Sequence, residues 1–178
     1  MLKICFKLLN AVVLFVAMTT GVHAVTATKI AFVDSGNTGR SMTSAALAQR
    51  WISGHQANVV VISRAVNLNP YNVTPEPDFV RLLKPLGIDV SAHRAAQFDK
   101  GVVNFSDLIF VMTAAHRDRI LADFPEAKAK VYLLSEYATN TQVEIQDAYG
   151  KDSAFYDEVF KQLNELIPLL MQKLPQKK

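Results

Sequence analysis

The chain has 178 residues, 50% of them hydrophobic and 20% charged, with seven Gly, seven Pro and one Cys, which suits a single globular domain with a full core and excludes a disordered, collagen-like or disulfide-stapled chain. Its formal charge is +3, but residues 1–24 carry Lys3 and Lys7 and no acid, so the remainder holds 17 basic against 16 acidic residues. That balance leaves no basic stripe and removes the main sequence support for nucleic-acid binding.

Residues 1–24 join a short basic start, an apolar run from Leu8 to Met18 broken only by Asn10, and a small-residue end at Val22-His23-Ala24. This is the order of a secretory signal peptide, with cleavage expected after Ala24. The apolar run is shorter than the ~20 residues that span a bilayer, so no stable membrane anchor is expected after cleavage. The only cysteine, Cys5, lies inside this segment. The mature domain, residues 25–178, would then hold no thiol, which suits an exported protein, with the periplasm as the expected destination.

From Thr28 onward, apolar runs of strand length alternate with segments of helical period, the pattern of an α/β fold with a mainly parallel sheet. The strand candidates are Lys29–Val33, Asn58–Ser63, Asp107–Met112 and Val131–Leu134. A helix with Ala45, Leu47, Ala48, Trp51 and Ile52 follows the first strand. The Pro-rich stretch Asn69–Pro77 reads as a loop entering a helix with Phe79, Leu82, Leu83 and Leu86 inward. Near the end, Phe155, Val159, Phe160, Leu163, Leu166, Ile167 and Leu170 recur at spacings of three and four and predict one apolar stripe on a helix. Pro168 is expected to kink this helix or leave its last turn loosely bound. No internal repeat or linker divides the domain.

The most informative element is the connection after the first strand, Asp34-Ser35-Gly36-Asn37-Thr38-Gly39-Arg40-Ser41. Two glycines and an Asn that tolerates left-handed backbone let such a loop turn successive N–H groups inward and end at a helix N-terminus. That geometry cradles a phosphate, and Arg40 adds a bidentate partner for an oxyanion. Alone, a short Gly-containing loop of this kind is weak evidence and is more often a simple connector.

Together with Val33, this loop resembles the phosphate-binding loop of the low-molecular-weight protein tyrosine phosphatases, whose signature is Cys, five residues, Arg, Ser after a first strand. The resemblance extends along the chain. Gly87-Ile88-Asp89-Val90-Ser91-Ala92-His93-Arg94-Ala95 is similar to the family's Gly-Ile-Asp-x-Ser-x-His-x-Ala segment, Asp107–Met112 to its third strand, and Asp147-Ala148-Tyr149-Gly150 to its late Asp-Pro-Tyr loop. The resemblance implies a three-layer α/β/α fold with a four-stranded parallel sheet, shared with thioredoxin-coupled arsenate reductases. It also implies a site at the carboxyl ends of the strands, where open α/β sheets place ligands.

By the same resemblance, Asp34 stands at the position of the family's nucleophilic cysteine, and Gly39 where a second cysteine often sits. Neither thiol-dependent phosphate-ester hydrolysis nor arsenate reduction by a cysteine relay is expected of a chain whose mature part lacks a thiol. Arg40 matches the residue that holds the phosphoryl oxygens and Asp147 the general acid, although Ala148 replaces the following Pro and predicts a looser loop. Ser35, Gly36, Asn37, Thr38, Gly39 and Ser41 form the loop itself. Ser41, Asn37, Ser63 and His93 match the polar set that buttresses it. Tyr71 and Asn72 match one cleft wall and Tyr149 the opposite one. His55 and His116 read as solvated residues with no partner at metal-ligand spacing, and Lys173, Lys177 and Lys178 as a helix end and frayed tail. No metal site and no cofactor are expected.

A carboxylate at Asp34, among inward N–H groups and beside Arg40, is favoured in its charged form and acts as the cradle's resident anion. A phosphate beside it meets like-charge repulsion of about 4 kcal/mol at ~4 Å under an effective dielectric of ~20, which predicts weak phosphate binding. The leading expectation is an exported pseudophosphatase that keeps the fold as a binding or regulatory module, its partner a phosphorylated protein or a small phosphoester. The alternative is an active phosphomonoesterase with Asp34 as nucleophile and Asp147 as general acid, assisted by a divalent metal held between them. A third view keeps the fold with no small-ligand function. The three separate by whether turnover or binding responds to substitutions in the cleft.

Overall fold

A computed structural model describes residues 26–175; the signal-peptide reading falls on residues outside these. Four strands, β1 (Thr28–Asp34), β2 (Val59–Ala65), β3 (Leu108–Val111) and β4 (Val131–Leu133), lie parallel in the order β2-β1-β3-β4. In the register, Phe32 pairs with Ser63 on one side and with Phe110 on the other. All four strand candidates are strands, within one or two residues at their ends. β1 is central and, from Ile30 to Asp34, closed to solvent. A strand covered on both faces needs no alternation of polar residues, which is why it reads as a short apolar run.

The pleat sends successive residues of β1 into two cores. Ile30 and Phe32 join Phe110 and the buried faces of α1 (Arg40–His55), α2 (Pro77–Leu83), α5 (Leu134–Thr139) and α6 (Ser153–Lys173). Ala31 and Val33 join Ile109 and Val111 under α3 (Lys100–Phe105) and α4 (Ala114–Asp123), with Phe98, Val102 and Ile120. The result is a three-layer α/β/α sandwich.

α6 carries the expected stripe: Val159, Leu163, Leu166, Ile167 and Leu170 are buried, and Phe155 and Phe160 lie partly buried against the same core. The helix does not stop or loosen at Pro168. Leu170, Met171 and Leu174, all beyond the proline, are buried, and Thr28 Oγ1 donates to Pro175 O at 3.0 Å. Packing on the far side of Pro168 outweighs the one hydrogen bond that its missing N–H removes. α2 is shorter than its apolar pattern suggests, ending at Leu83 in a tight turn Lys84–Leu86 that Gly87 closes at φ 72°. Phe79 and Leu83 are buried, and Leu82 and Leu86 pack partly buried beside them. No described helix is long and apolar enough to cross a membrane.

The chain leaves β1 through α1 to reach β2 on one side, then returns past β1 to β3 on the other. The carboxyl ends of β1 and β3 therefore open on a topological switch point, and the loops that follow them face one another.

Candidate functional site

The loop Ser35–Gly39 turns the end of β1 into the N-terminus of α1. Asn37 sits at φ 59°, a left-handed conformation that Asn adopts more readily than most residues. It is wholly buried and acts as the hub of the loop. Its Nδ2 donates to Ser41 Oγ at 2.9 Å, its Oδ1 accepts from the Ala96 N–H at 3.1 Å, and its carbonyl lies 2.7 Å from His93 Nε2.

Asp34 lies at the base of this loop, only 2% exposed. Its Oδ1 accepts the N–H of Asn37 at 2.6 Å and its Oδ2 the N–H of Ser41 at 2.8 Å. Ser41 is the second residue of α1, so this bond satisfies one of the orphan donors at the helix start, a task that Gly39, the residue before the helix, has no side chain to perform. The carboxylate thus sits inside the cradle as an anion already bound.

Arg40 is 4% exposed and turns toward the late loop. Its Nη1 donates to Ile145 O at 2.9 Å and its Nη2 to Asp147 Oδ2 at 2.6 Å, while Asp147 Oδ1 accepts the Tyr149 N–H at 3.1 Å. Both oxygens of Asp147 are acceptors in this arrangement. Ala148 is fully buried, so the loop expected to be loose without its proline is anchored through Arg40 and by burial of the alanine methyl.

These residues line a cleft of about 240 Å³ holding Asp34, Ser35, Arg40 and Asp147, with Asn72 and Tyr149 at its edge. Tyr149 is 67% exposed at the rim. Tyr71 does not form a wall: it is 97% exposed and outside the cleft lining, held by its backbone in an Asx turn on Asn69, which leaves the ring in solvent. Ser63 makes no side-chain hydrogen bond to the loop among the described residues. It lies on β2 and opens instead, with Met42, Val90 and His93, onto a separate cavity of about 490 Å³.

Two residues at the site were not legible in the sequence: Glu76, which lines the cleft, and His116, which reaches it through Ser35. Glu76, just before α2, accepts from Thr38 Oγ1 at 3.0 Å and from Tyr156 OH at 2.7 Å, and its own N–H donates to Thr38 O at 3.0 Å. Burial, with Asp147 and Asp34 nearby, pushes its carboxyl above the ordinary value of 4.5, against the two hydrogen bonds that favour the charged form. It also fills the space beside Gly39, where a Cβ would stand 2.7 Å from Glu76 Oε1 and 3.0 Å from Phe79 Cε2.

His116 is the second. It is buried, not solvated as its sequence context suggests, with Nε2 2.9 Å from Ser35 Oγ and Nδ1 3.1 Å from Thr113 Oγ1. Burial first, and then the Arg40 charge, hold its imidazole below the usual 6.5, although Asp34, Asp147 and Glu144 act in the opposite direction. The available signal was topological: His116 follows β3, whose carboxyl end abuts that of β1. His55 is exposed as expected, stacked on Trp51 at 4.0 Å. Among the described residues, no three His, Cys, Asp or Glu side chains converge as metal ligands.

The chain matches the family described as low molecular weight phosphotyrosine protein phosphatase over residues 29–178. It is 32% identical to a protein-arginine-phosphatase of Geobacillus stearothermophilus, over 82% of this chain and 95% of that one. It is 34% identical to a probable low molecular weight protein-tyrosine-phosphatase of Ralstonia solanacearum, over 69% and 79%. Among solved structures, a YwlE mutant of Bacillus subtilis superposes with a TM-score of 0.78 at 28% identity, over 83% of this chain and 98% of that one. From these matches and the shared architecture, the chain belongs to the low molecular weight phosphotyrosine protein phosphatase family.

Proposed function

We propose that this protein is an exported member of its family in which Asp34 replaces the nucleophilic cysteine, and that it serves as a pseudophosphatase, a binding or regulatory module without thiol-dependent hydrolysis. The observation that carries this reading is the pair of hydrogen bonds from the Asn37 and Ser41 N–H groups to the two oxygens of Asp34. An anion built into the chain occupies two of the loop's donors, the N–H groups of Asn37 and Ser41, and the Arg40 guanidinium is engaged by Asp147 and Ile145 O. The loop's shape is nonetheless supported by Asn37, Ser41 and His93, as a retained binding fold requires.

Export rests on cleavage after Ala24, which removes Cys5 and leaves the domain without a thiol. The expected partner is a phosphorylated protein or a small phosphoester held weakly. The relatives named above make phosphoarginine a probe beside phosphotyrosine.

The test is turnover of p-nitrophenyl phosphate, phosphotyrosine and phosphoarginine by the mature chain, with and without Mg²⁺. Silence on all three is expected. Turnover that disappears in Asp34→Ala would overturn the reading and establish Asp34 as a carboxylate nucleophile.

A further inference from the structure

Ser35 is the first residue beyond β1 and lines the cleft half-buried, so its hydroxyl meets whatever enters. Its Oγ lies 2.9 Å from His116 Nε2, and His116 Nδ1 lies 3.1 Å from Thr113 Oγ1. Thr113 caps α4, and its Oγ1 accepts the His116 backbone N–H at 3.3 Å. With the ring hydrogen on Nδ1, pointing at the remaining lone pair of Thr113, Nε2 becomes the acceptor and Ser35 the donor. A nucleophile, a base within hydrogen-bond reach and a third group that orients the base make up the arrangement by which hydroxyl nucleophiles are activated.

We propose that Ser35 and His116 form a nucleophile–base pair that takes acyl groups from small neutral esters. The inference stands apart from the reading of Asp34, since neither Ser35 nor His116 belongs to the thiol mechanism. Three further features favour it. The imidazole, held below 6.5, is neutral at pH 7 and free to accept a proton. The N–H groups of Gly36 and Thr38, both of which line the cleft beside Ser35, make no hydrogen bond among the described residues and leave donors there for a developing oxyanion. The cleft's charges are Asp34, Glu76 and Asp147 against one Arg40 already paired, a setting that repels a phosphoryl dianion and is indifferent to a neutral ester.

In the first step the Ser35 Oγ–H proton passes to His116 Nε2, the Oγ–C bond forms and the carbonyl electron pair moves to oxygen. Collapse expels the alcohol, which takes the proton from His116. Water then attacks the acyl-serine in the same way, releasing the acid and restoring Ser35.

The test uses the full chain with a neutral fluorophosphonate, followed by peptide mapping, and p-nitrophenyl acetate turnover. The label is expected on Ser35, and both label and turnover are expected to fall at least ~10²-fold in Ser35→Ala and His116→Gln but to persist in His55→Gln. The labelling rate should hold through pH 7 and fall only below the ordinary histidine range. Burial sets that position first; of the charged groups that face the ring, Arg40 of α1 adds to it, and Asp34 of β1 with Asp147 and Glu144 of the late loop oppose it. Label absent from Ser35 in the wild-type chain overturns the proposal without any variant, so a misfolded variant does not shield it. Equal labelling of wild type and His116→Gln overturns it as well. A failure here leaves the pseudophosphatase reading untouched, because that reading is tested by phosphoesters and by Asp34.

Discussion

Replacing Asp34 by Ala should both destabilise the protein and turn it into an anion-binding one. The side chain is 2% exposed, and its removal strands the N–H groups of Asn37 and Ser41, each bonded to a carboxylate oxygen at 2.6 and 2.8 Å. Hydrogen bonds to a charged group contribute roughly 1.5–3 kcal/mol each, so the loss is expected near 3 kcal/mol after water enters the space. For a domain of this size that lowers Tm by about 6–12 °C. The emptied cradle should then accept phosphate. If its Kd is about 0.1 mM, 10 mM phosphate restores about 2.7 kcal/mol. In the wild type, repulsion of about 4 kcal/mol from Asp34 weakens the same site by roughly 10³-fold and leaves Tm unmoved by phosphate. Thermal unfolding by circular dichroism, with and without phosphate, reads both effects. An equal phosphate shift in wild type and variant, or a cost of Asp34→Ala below about 1 kcal/mol, would refute the resident-anion reasoning.

Gly39→Ala should destabilise by roughly 1–3 kcal/mol in urea unfolding, because the new methyl would stand 2.7 Å from Glu76 Oε1 and 3.0 Å from Phe79 Cε2; in a Glu76→Ala background the cost should shrink to the part set by Phe79. The raised Glu76 carboxyl binds its proton more tightly folded than unfolded, so its contribution to stability is present below pH 4.5 and is lost as pH rises from there through the folded value. Urea midpoints of wild type and Glu76→Gln, followed from pH 4 to 7, should therefore converge at the acid end and separate in favour of the variant at neutral pH. His116 has the opposite sense: its depressed value means that stability is lost as pH falls below 6.5, and His116→Gln should flatten that limb of the same profile. Phe32→Ala, in the wholly buried centre of β1, should cost about 3–5 kcal/mol by the same measurement.

The strands and the apolar stripe of α6 were legible because a buried parallel strand and an amphipathic helix leave their periods in the residues themselves. Asn37, Ser41 and His93 were legible as one loop's supports through the resemblance alone, and they lie together. Ser63 and Tyr71, carried over from the same resemblance, do not sit as it implies. Ser63 faces the cavity behind the loop, and the ring of Tyr71 stands in solvent because only its backbone is tied. Glu76 and His116 were illegible for a different reason. A lone Glu in a Pro-rich loop and a lone His at the start of a helix have no local pattern, and their partners, Tyr156 at 80 positions away and Ser35 at 81, are joined only by the fold.

The central claim, an intact phosphatase cleft whose nucleophile has become a bound anion, is tested most directly by p-nitrophenyl phosphate turnover in Asp34→Cys. The account predicts that this variant gains turnover that wild type and Asp34→Ala lack, and that adding Arg40→Ala abolishes the gain. A folded Asp34→Cys with no turnover would show that the cleft no longer supports phosphoester chemistry and would contradict the account.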